Sequence, residues 1–167
     1  MHHLLKVFIG SVLILAGFCP VLAQNYWIRS SGGVGYEDVV CADHHPVTGS
    51  VVAGHFNFPF SIGVYPFVSA GLSDAFIICH NDTGGIRWAR PIGGSGDDRA
   101  TALKIAGTGE VYVAGTFTQN FQVGLTLLTC SGQKDMFIVK LSPAGALLSA
   151  WSYGGVGNEE LLNIRAD

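Results

Sequence analysis

Charge is the first thing this sequence is short of. Only 13% of its 167 residues are Asp, Glu, Lys or Arg, about half the share usual in a soluble domain. The formal net charge is −3 and there is no long basic run, which excludes the electrostatic footprint of a nucleic-acid binder. Cysteine is scarce too: there are four, with no Cys-x-x-Cys spacing, which argues against a zinc site and a dense disulfide framework. No Ser-centred elbow, phosphate loop or zinc-protease motif is present. No catalytic, cofactor-binding or metal-ligating residue is therefore assigned, and no cofactor is expected.

What remains is apolar and glycine-rich. Hydrophobic residues make up 49% of the chain and there are 23 Gly, enough for one ordinary core crossed by many tight turns. Part of the apolar count belongs to the start. "MHHLLK" supplies a positive beginning, "VFIGSVLILAGF" an uncharged apolar stretch, and "CPVLAQ" places Val21 and Ala23 before a cut at Gln24. That layout predicts a secretory signal peptide over residues 1–23. The run is shorter than the roughly 20 residues needed to span a bilayer, and Phe18 before Cys19 does not suit a lipid-attachment site. The expected destination is secreted or cell-surface, with no membrane span once the signal is removed. Cys41, Cys79 and Cys130 would remain, an odd number, and are read chiefly as small buried hydrophobes.

From residue 24 onward the chain repeats itself at an offset of 61. Trp27 falls on Trp88, and Gly32-Gly33 on Gly93-Gly94 and Gly154-Gly155. Gly54 and Phe56 fall on Gly115 and Phe117, Phe60 and Gly63 on Phe121 and Gly124, and Gly71, Asp74 and Phe76 on Gly132, Asp135 and Phe137. The register slips by one residue where "ADHHPVTG" faces "KIAGTG". The units run approximately 32–92 and 93–153, with a third cut short at 167. A repeat at this period has to be read before any fold is assigned.

Each unit reads as four strands. "EDVVCADH", "SVVAGHF", "DAFIICH" and "IRWARPI" form the first set, and "DRATALKIAG", "EVYVAGTF", "DMFIVKL" and "LLSAWSY" the second. β-branched and aromatic residues punctuated by Gly, Asp, Asn and Pro predict strands throughout. "FSIGVYPFVS" and "FQVGLTLLTC" are expected to add a small ribbon between the second and third strands. Four antiparallel strands in tandem copies predict an all-β fold built as blades of a β-propeller. Two full blades and partial ones make that propeller incomplete. The Trp is expected to pack between blades. In the second copy of that strand Ser149 takes its register and Trp151 stands two positions on, on the same face.

"GGSGDDRATALKIAGTGEVYVAGTF" followed by "CSGQKDMFIVKLSPAG" resembles the SBBP-type β-propeller repeats of bacterial secreted proteins. The match rests on Asp97-Asp98, Val111-Tyr112-Val113, Gly115, Phe117, Gly132, Asp135, Phe137, Lys140 and Leu141. The first unit departs from it, with Val51-Val52 lacking the Tyr and Cys79-His80 in place of the Lys-Leu pair. The resemblance implies a surface or secreted propeller with no catalytic residues to carry over. Because two blades cannot close a ring, the chain is expected to be a fragment of a longer one.

A few residues could carry chemistry. Glu37-Asp38, Asp97-Asp98 and Glu159-Glu160 recur after the Gly-Gly-x-Gly turn, where carboxylates serve either as local caps or as calcium ligands. Recurrence in every unit favours the structural role. Asp74 and Asp135 are expected to cap the strands they open. "NDTGGIRW" partly resembles the Asp-box hairpin of sialidase-like propellers, itself a folding element. His44, His45, His55 and His80 do not recur, and His44 and His45 would point to opposite sides of an extended strand.

The function expected is a non-catalytic scaffold that binds a glycan or protein ligand. The alternative is a propeller-based polysaccharide lyase or hydrolase whose active site lies outside this piece. The segment "EELLNIRA", residues 159–166, is expected to form a strand with no later partner. That edge, and one uncovered apolar face per blade, predict self-association of the isolated chain.

Overall fold

The structure, a computed structural model, describes residues 35–161 and 163–166. The signal peptide expected over 1–23, Trp27, the Gly32-Gly33 pair, Leu162 and Asp167 lie outside the described residues. Among those described there are strands and no helix. In chain order they are β1 (Glu37–His45), β2 (Gly49–Phe56), β3 (Phe60–Ile62), β4 (Tyr65–Phe67), β5 (Asp74–His80) and β6 (Ile86–Ile92). The second half repeats them as β7 (Arg99–Ile105), β8 (Val111–Phe117), β9 (Phe121–Val123), β10 (Thr126–Leu128), β11 (Asp135–Leu141) and β12 (Leu147–Tyr153).

Each half folds into a four-stranded antiparallel meander, ordered β1-β2-β5-β6 and β7-β8-β11-β12, with a two-stranded ribbon inserted after its second strand. The sheets remain open at their edges. The repeat extends to irregularities that no residue type announces. The β1–β2 register shifts between Val39 and Cys41, and β7–β8 shifts between Ala100 and Ala102. A second pair of shifts, Cys79/His80 and Lys140/Leu141, recurs in the same way. Each bulge inserts an unpaired residue and increases local twist. The one-residue slip in the sequence falls in a turn. Gly49 (φ 99°) and Gly109 (φ 87°) both supply left-handed backbone there, but at adjacent rather than equal repeat positions.

The core is a stack of faces. Val51, Ala53, Ala75, Ile77 and Cys79 line one face of the first sheet and join one cluster with Ala100, Val113, Phe117, Phe137 and Val139 of the second. On its other face the first sheet presents Val39, Val52, Phe56, Phe76 and Ile78, packed with Phe60 and Phe67 of its ribbon. Phe60 and Phe67 stack at 4.6 Å and meet Phe56 edge-on. In the second unit Phe117, Phe121 and Phe137 repeat this edge-to-face group. Trp88 joins the halves as its pattern suggested. Its ring lies against Gly145, and its indole N–H donates to the Pro143 carbonyl at 3.0 Å.

One expectation fails. The described residues of 159–166 are not in a strand. The segment is tied to neighbouring backbone at its start, where the Glu159 N–H donates to the Lys134 carbonyl at 2.8 Å. Apolar residues alone do not make a strand; its N–H and C=O groups need a partner alongside.

The aromatic stack depends on a close approach at Gly115. A Cβ there would lie 2.6 Å from Phe137 Cζ and closer still to the Arg99 carbonyl oxygen. Gly115→Ala is expected to cost about 2–3 kcal/mol through overpacking, read as a lower urea midpoint with an unchanged slope. Unaltered stability would mean that the ring and strand β7 yield more freely than the geometry allows.

Candidate functional site

The chemistry-bearing groups gather at the crossover between the sheets. Strand β6 ends at Ile92, β7 begins at Arg99, and "GGSGDD" lies between. This segment is clasped to the approach to β5. The Leu72 N–H donates to the Gly96 carbonyl at 2.9 Å, the Asp98 N–H donates to the Ser73 carbonyl at 2.8 Å, and Ser73 bridges Asp97 in parallel. The clasp recurs one period later. There the Gln133 N–H donates to the Gly157 carbonyl at 3.1 Å, and Lys134 bridges Asn158.

Two carboxyls are buried in the clasp. Asp98 is fully buried, and its Oδ2 accepts the Gly94 N–H at 2.6 Å. Asp74 is 3% exposed, and its Oδ2 accepts the Ala70 N–H at 2.9 Å. Both are caps, in keeping with the Asx-type reading. Both also abut Gly93: a Cβ there would sit 2.7 Å from Asp74 Oδ1 and 2.9 Å from Asp98 Oδ2. Burial, with the charge of Asp74 adding to it, pushes the Asp98 carboxyl up to about 6. Burial raises Asp74 as well. In the second unit Asp135 accepts the Ser131 N–H at 2.8 Å and presses on Gly154, with Glu159 at the position of Asp98.

The acidic pairs do not superpose as pairs. The clasp bridges fix the register and put Glu37, Asp98 and Glu159 at one repeat position. Asp38 and Glu160 then share their position with Arg99, while Asp97 shares its own with Asn158. Asp97 instead turns outward to the Arg99 guanidinium at 2.8 Å. Among the described residues no three His, Cys, Asp or Glu side chains converge to hold a metal ion.

A second ionic contact joins the sheets at edge strands β1 and β7. Asp43 of β1 meets the Lys104 ammonium of β7 at 2.6 Å and accepts the Ile105 N–H at 2.8 Å. Burial opposes charge on Asp43, but the Ile105, Lys104 and His44 donors outweigh it and hold the carboxyl below its ordinary range. Residues 43 and 104 occupy the same repeat position with opposite charge. The alignment contained that signal, and sequence reasoning passed over it.

The histidines scatter. His44 Nδ1 pairs with Ser50 Oγ at 3.1 Å, and His45 Nδ1 accepts the Val47 N–H at 3.2 Å. His55 is buried near Tyr36 and titrates below its ordinary range, through burial first and Arg99 second. His80 is buried at the edge of a cleft of about 410 Å³ lined by Ile62, Val64, Tyr65 and Ile86. The "NDTGG" turn is organised by Asn81, whose Oδ1 accepts the Thr83 and Gly85 N–H groups at 3.0 and 2.8 Å. Burial raises the Cys41 thiol to about 12 and the Cys79 thiol to about 11, which leaves both as packing groups and not nucleophiles. No helix among the described residues is long and apolar enough to cross a membrane. No protein-family model and no curated protein matches the chain.

The Asp43–Lys104 contact has a sign that can be read. A carboxyl held below its ordinary range contributes stability above the usual Asp range, and that contribution is lost as pH falls through the lowered value. Its side chain is 21% exposed and that of Lys104 40%, so solvent screening limits the pair to about 1 kcal/mol. Asp43→Ala is expected to lower stability by that amount near neutrality and to converge with the wild type below about pH 3. Equilibrium unfolding at several pH values checks this; a constant gap would mean that the carboxylate charge is not the source.

Proposed function

We propose that this chain is an exported repeat protein whose sheets are blades of a β-propeller, acting at the cell surface or outside the cell as a non-catalytic scaffold for a glycan or protein ligand. The observation that carries the reading is how the two sheets cover each other. In the first sheet Val51, Ala75, Ile77 and Cys79 are wholly buried beneath the second. The same repeat positions in the second sheet are Tyr112, Met136, Ile138 and Lys140, and all four are half-buried. Trp151, opposite Ile138, is 39% exposed. A face designed to be covered in one unit and left open in the next is the mark of an architecture that grows by stacking.

The resemblance to SBBP-type repeats and the signal-like start support the same reading. Among the described residues His and Cys side chains are dispersed and the buried Asp74 and Asp98 serve as backbone caps, which favours binding over catalysis, since a reaction needs a nucleophile or acid–base pair free to reach a substrate. The ligand surface would be the loops, as is usual where strands supply the frame.

Two measurements test this. A glycan array probed with the chain is expected to show selective binding, while the same polymers stay intact in a hydrolysis and elimination screen; cleavage of any of them would overturn the non-catalytic reading. Residues 24–167 are also expected to self-associate in size-exclusion chromatography through the open face, and Ile138→Lys to weaken that association. A sharp, concentration-independent monomer peak for the unsubstituted chain would count against stacking.

A further inference from the structure

We propose that Asp74 and Asp98, both buried against Gly93, keep one proton as a pair in the folded state, and that this proton is an acid-strengthened latch on the crossover joining the two sheets. The geometry carries the argument. Each carboxyl uses one oxygen as a cap, and each keeps its Oδ1 buried with no hydrogen-bond partner. A buried carboxylate oxygen without a donor is costly, and two such groups beside one glycine are costlier, because their charges repel. A single proton removes one of the two charges, and with it the repulsion at Gly93, where Asp74 Oδ1 and Asp98 Oδ2 both lie. Gly93 admits the arrangement, because any side chain there would displace both carboxyls.

Among the described residues no cation pairs with either carboxyl. Asp97, next to Asp98 in the chain, engages Arg99 at 2.8 Å on the exposed side. Asp38 and His55, on β1 and β2, complete the charged groups near Arg99 and Asp97, and burial holds His55 toward its neutral form. Glu37 lies across Phe56 from Asp74 in the register of the first sheet. The upward displacement of both carboxyls agrees with the geometry.

The pair is placed to act on the joint. Asp98 donates its own N–H to the Ser73 carbonyl, and Ser73 directly precedes Asp74. Repulsion between the two carboxylates therefore pushes apart the strands that the clasp holds. One period later Asp135 presses on Gly154 with its own Oδ1 buried and unpartnered, while Glu159 lies by Gly155 and Gly157 instead.

The sign follows from which state binds the proton. The folded pair holds it more tightly than the unfolded chain does. The stability it contributes is full below the ordinary Asp range and is lost as pH rises through about 6. Urea unfolding of the full chain between about pH 4 and pH 8 tests this on the wild type, Asp98→Asn, Asp74→Asn and Asp97→Asn. Relative to Asp98→Asn, the unfolding constant of the wild type is expected to rise about a hundredfold over the range. Asp74→Asn is expected to flatten the dependence as well, and Asp97→Asn to keep it. An Asp98→Asn profile parallel to the wild type overturns the proposal. If a variant fails to fold, carboxyl-carbon NMR of the wild type decides: an Asp98 midpoint near 6 supports the shared proton, and one near 4 overturns it. Calcium added at the alkaline end should leave wild-type stability unchanged. A calcium-dependent rise that Asp98→Asn abolishes would assign the free oxygens to a cation instead.

Discussion

A four-stranded sheet with apolar side chains on both faces cannot stand alone in water, and the rest of this structure answers to that constraint. Strands β2 and β5 are buried at every position, which no single antiparallel sheet achieves by itself. The second sheet covers one face of the first, and the phenylalanine ribbon packs into the other. Once that stacking is set, the crossover must be short, the strand carbonyls must meet close neighbours, and the residues between the sheets must be small or flat. Ala53, Ala75 and Ala100 meet the size limit on the shared faces, and Trp88 lies flat against Gly145.

Stacking also decides where polar groups can survive. The crossover takes backbone out of both sheets and into a closely packed joint, where each N–H and C=O needs a partner. Asp74, Asp98 and Asp135 serve as those partners, and are buried as a consequence. A capping carboxylate in such a place carries a cost that a surface cap does not. Under the proposed latch, the joint between the sheets is held more firmly in acid. Asp43 and Lys104 work the other way between edge strands β1 and β7, where a partly exposed ion pair adds a tie that strengthens as the carboxylate ionises.

Repetition separates scaffold from function. Whatever recurs at the 61-residue offset — glycines, phenylalanines, bulges, the acidic clasp — builds the stack. What does not recur is free to differ for another purpose: His55 and His80, the half-open cleft beside Tyr65, and the turn tips. Under the proposed function, that division would put the binding surface on the loops and leave the strands to hold it.

Much of the scaffold was legible in the sequence. "DAFIICH" opens with a turn-forming Asp and then runs apolar, and it became β5 across those residues. "IRWARPI" and "LLSAWSY" became β6 and β12. Alternation, strand length and turn residues are local, so the sequence alone determined the strands, the ribbons and the repeat. It misled at 159–166, where apolar content suggested a strand but pairing was missing, and at the acidic pairs, whose register only the clasp bridges reveal. Tertiary structure alone brought Asp74 to Asp98 across one glycine and Asp43 to Lys104 across two sheets. Those groups are distant along the chain, and their protonation depends on burial and neighbouring charge. Such quantities exist only once the faces have stacked, and no local pattern encodes them.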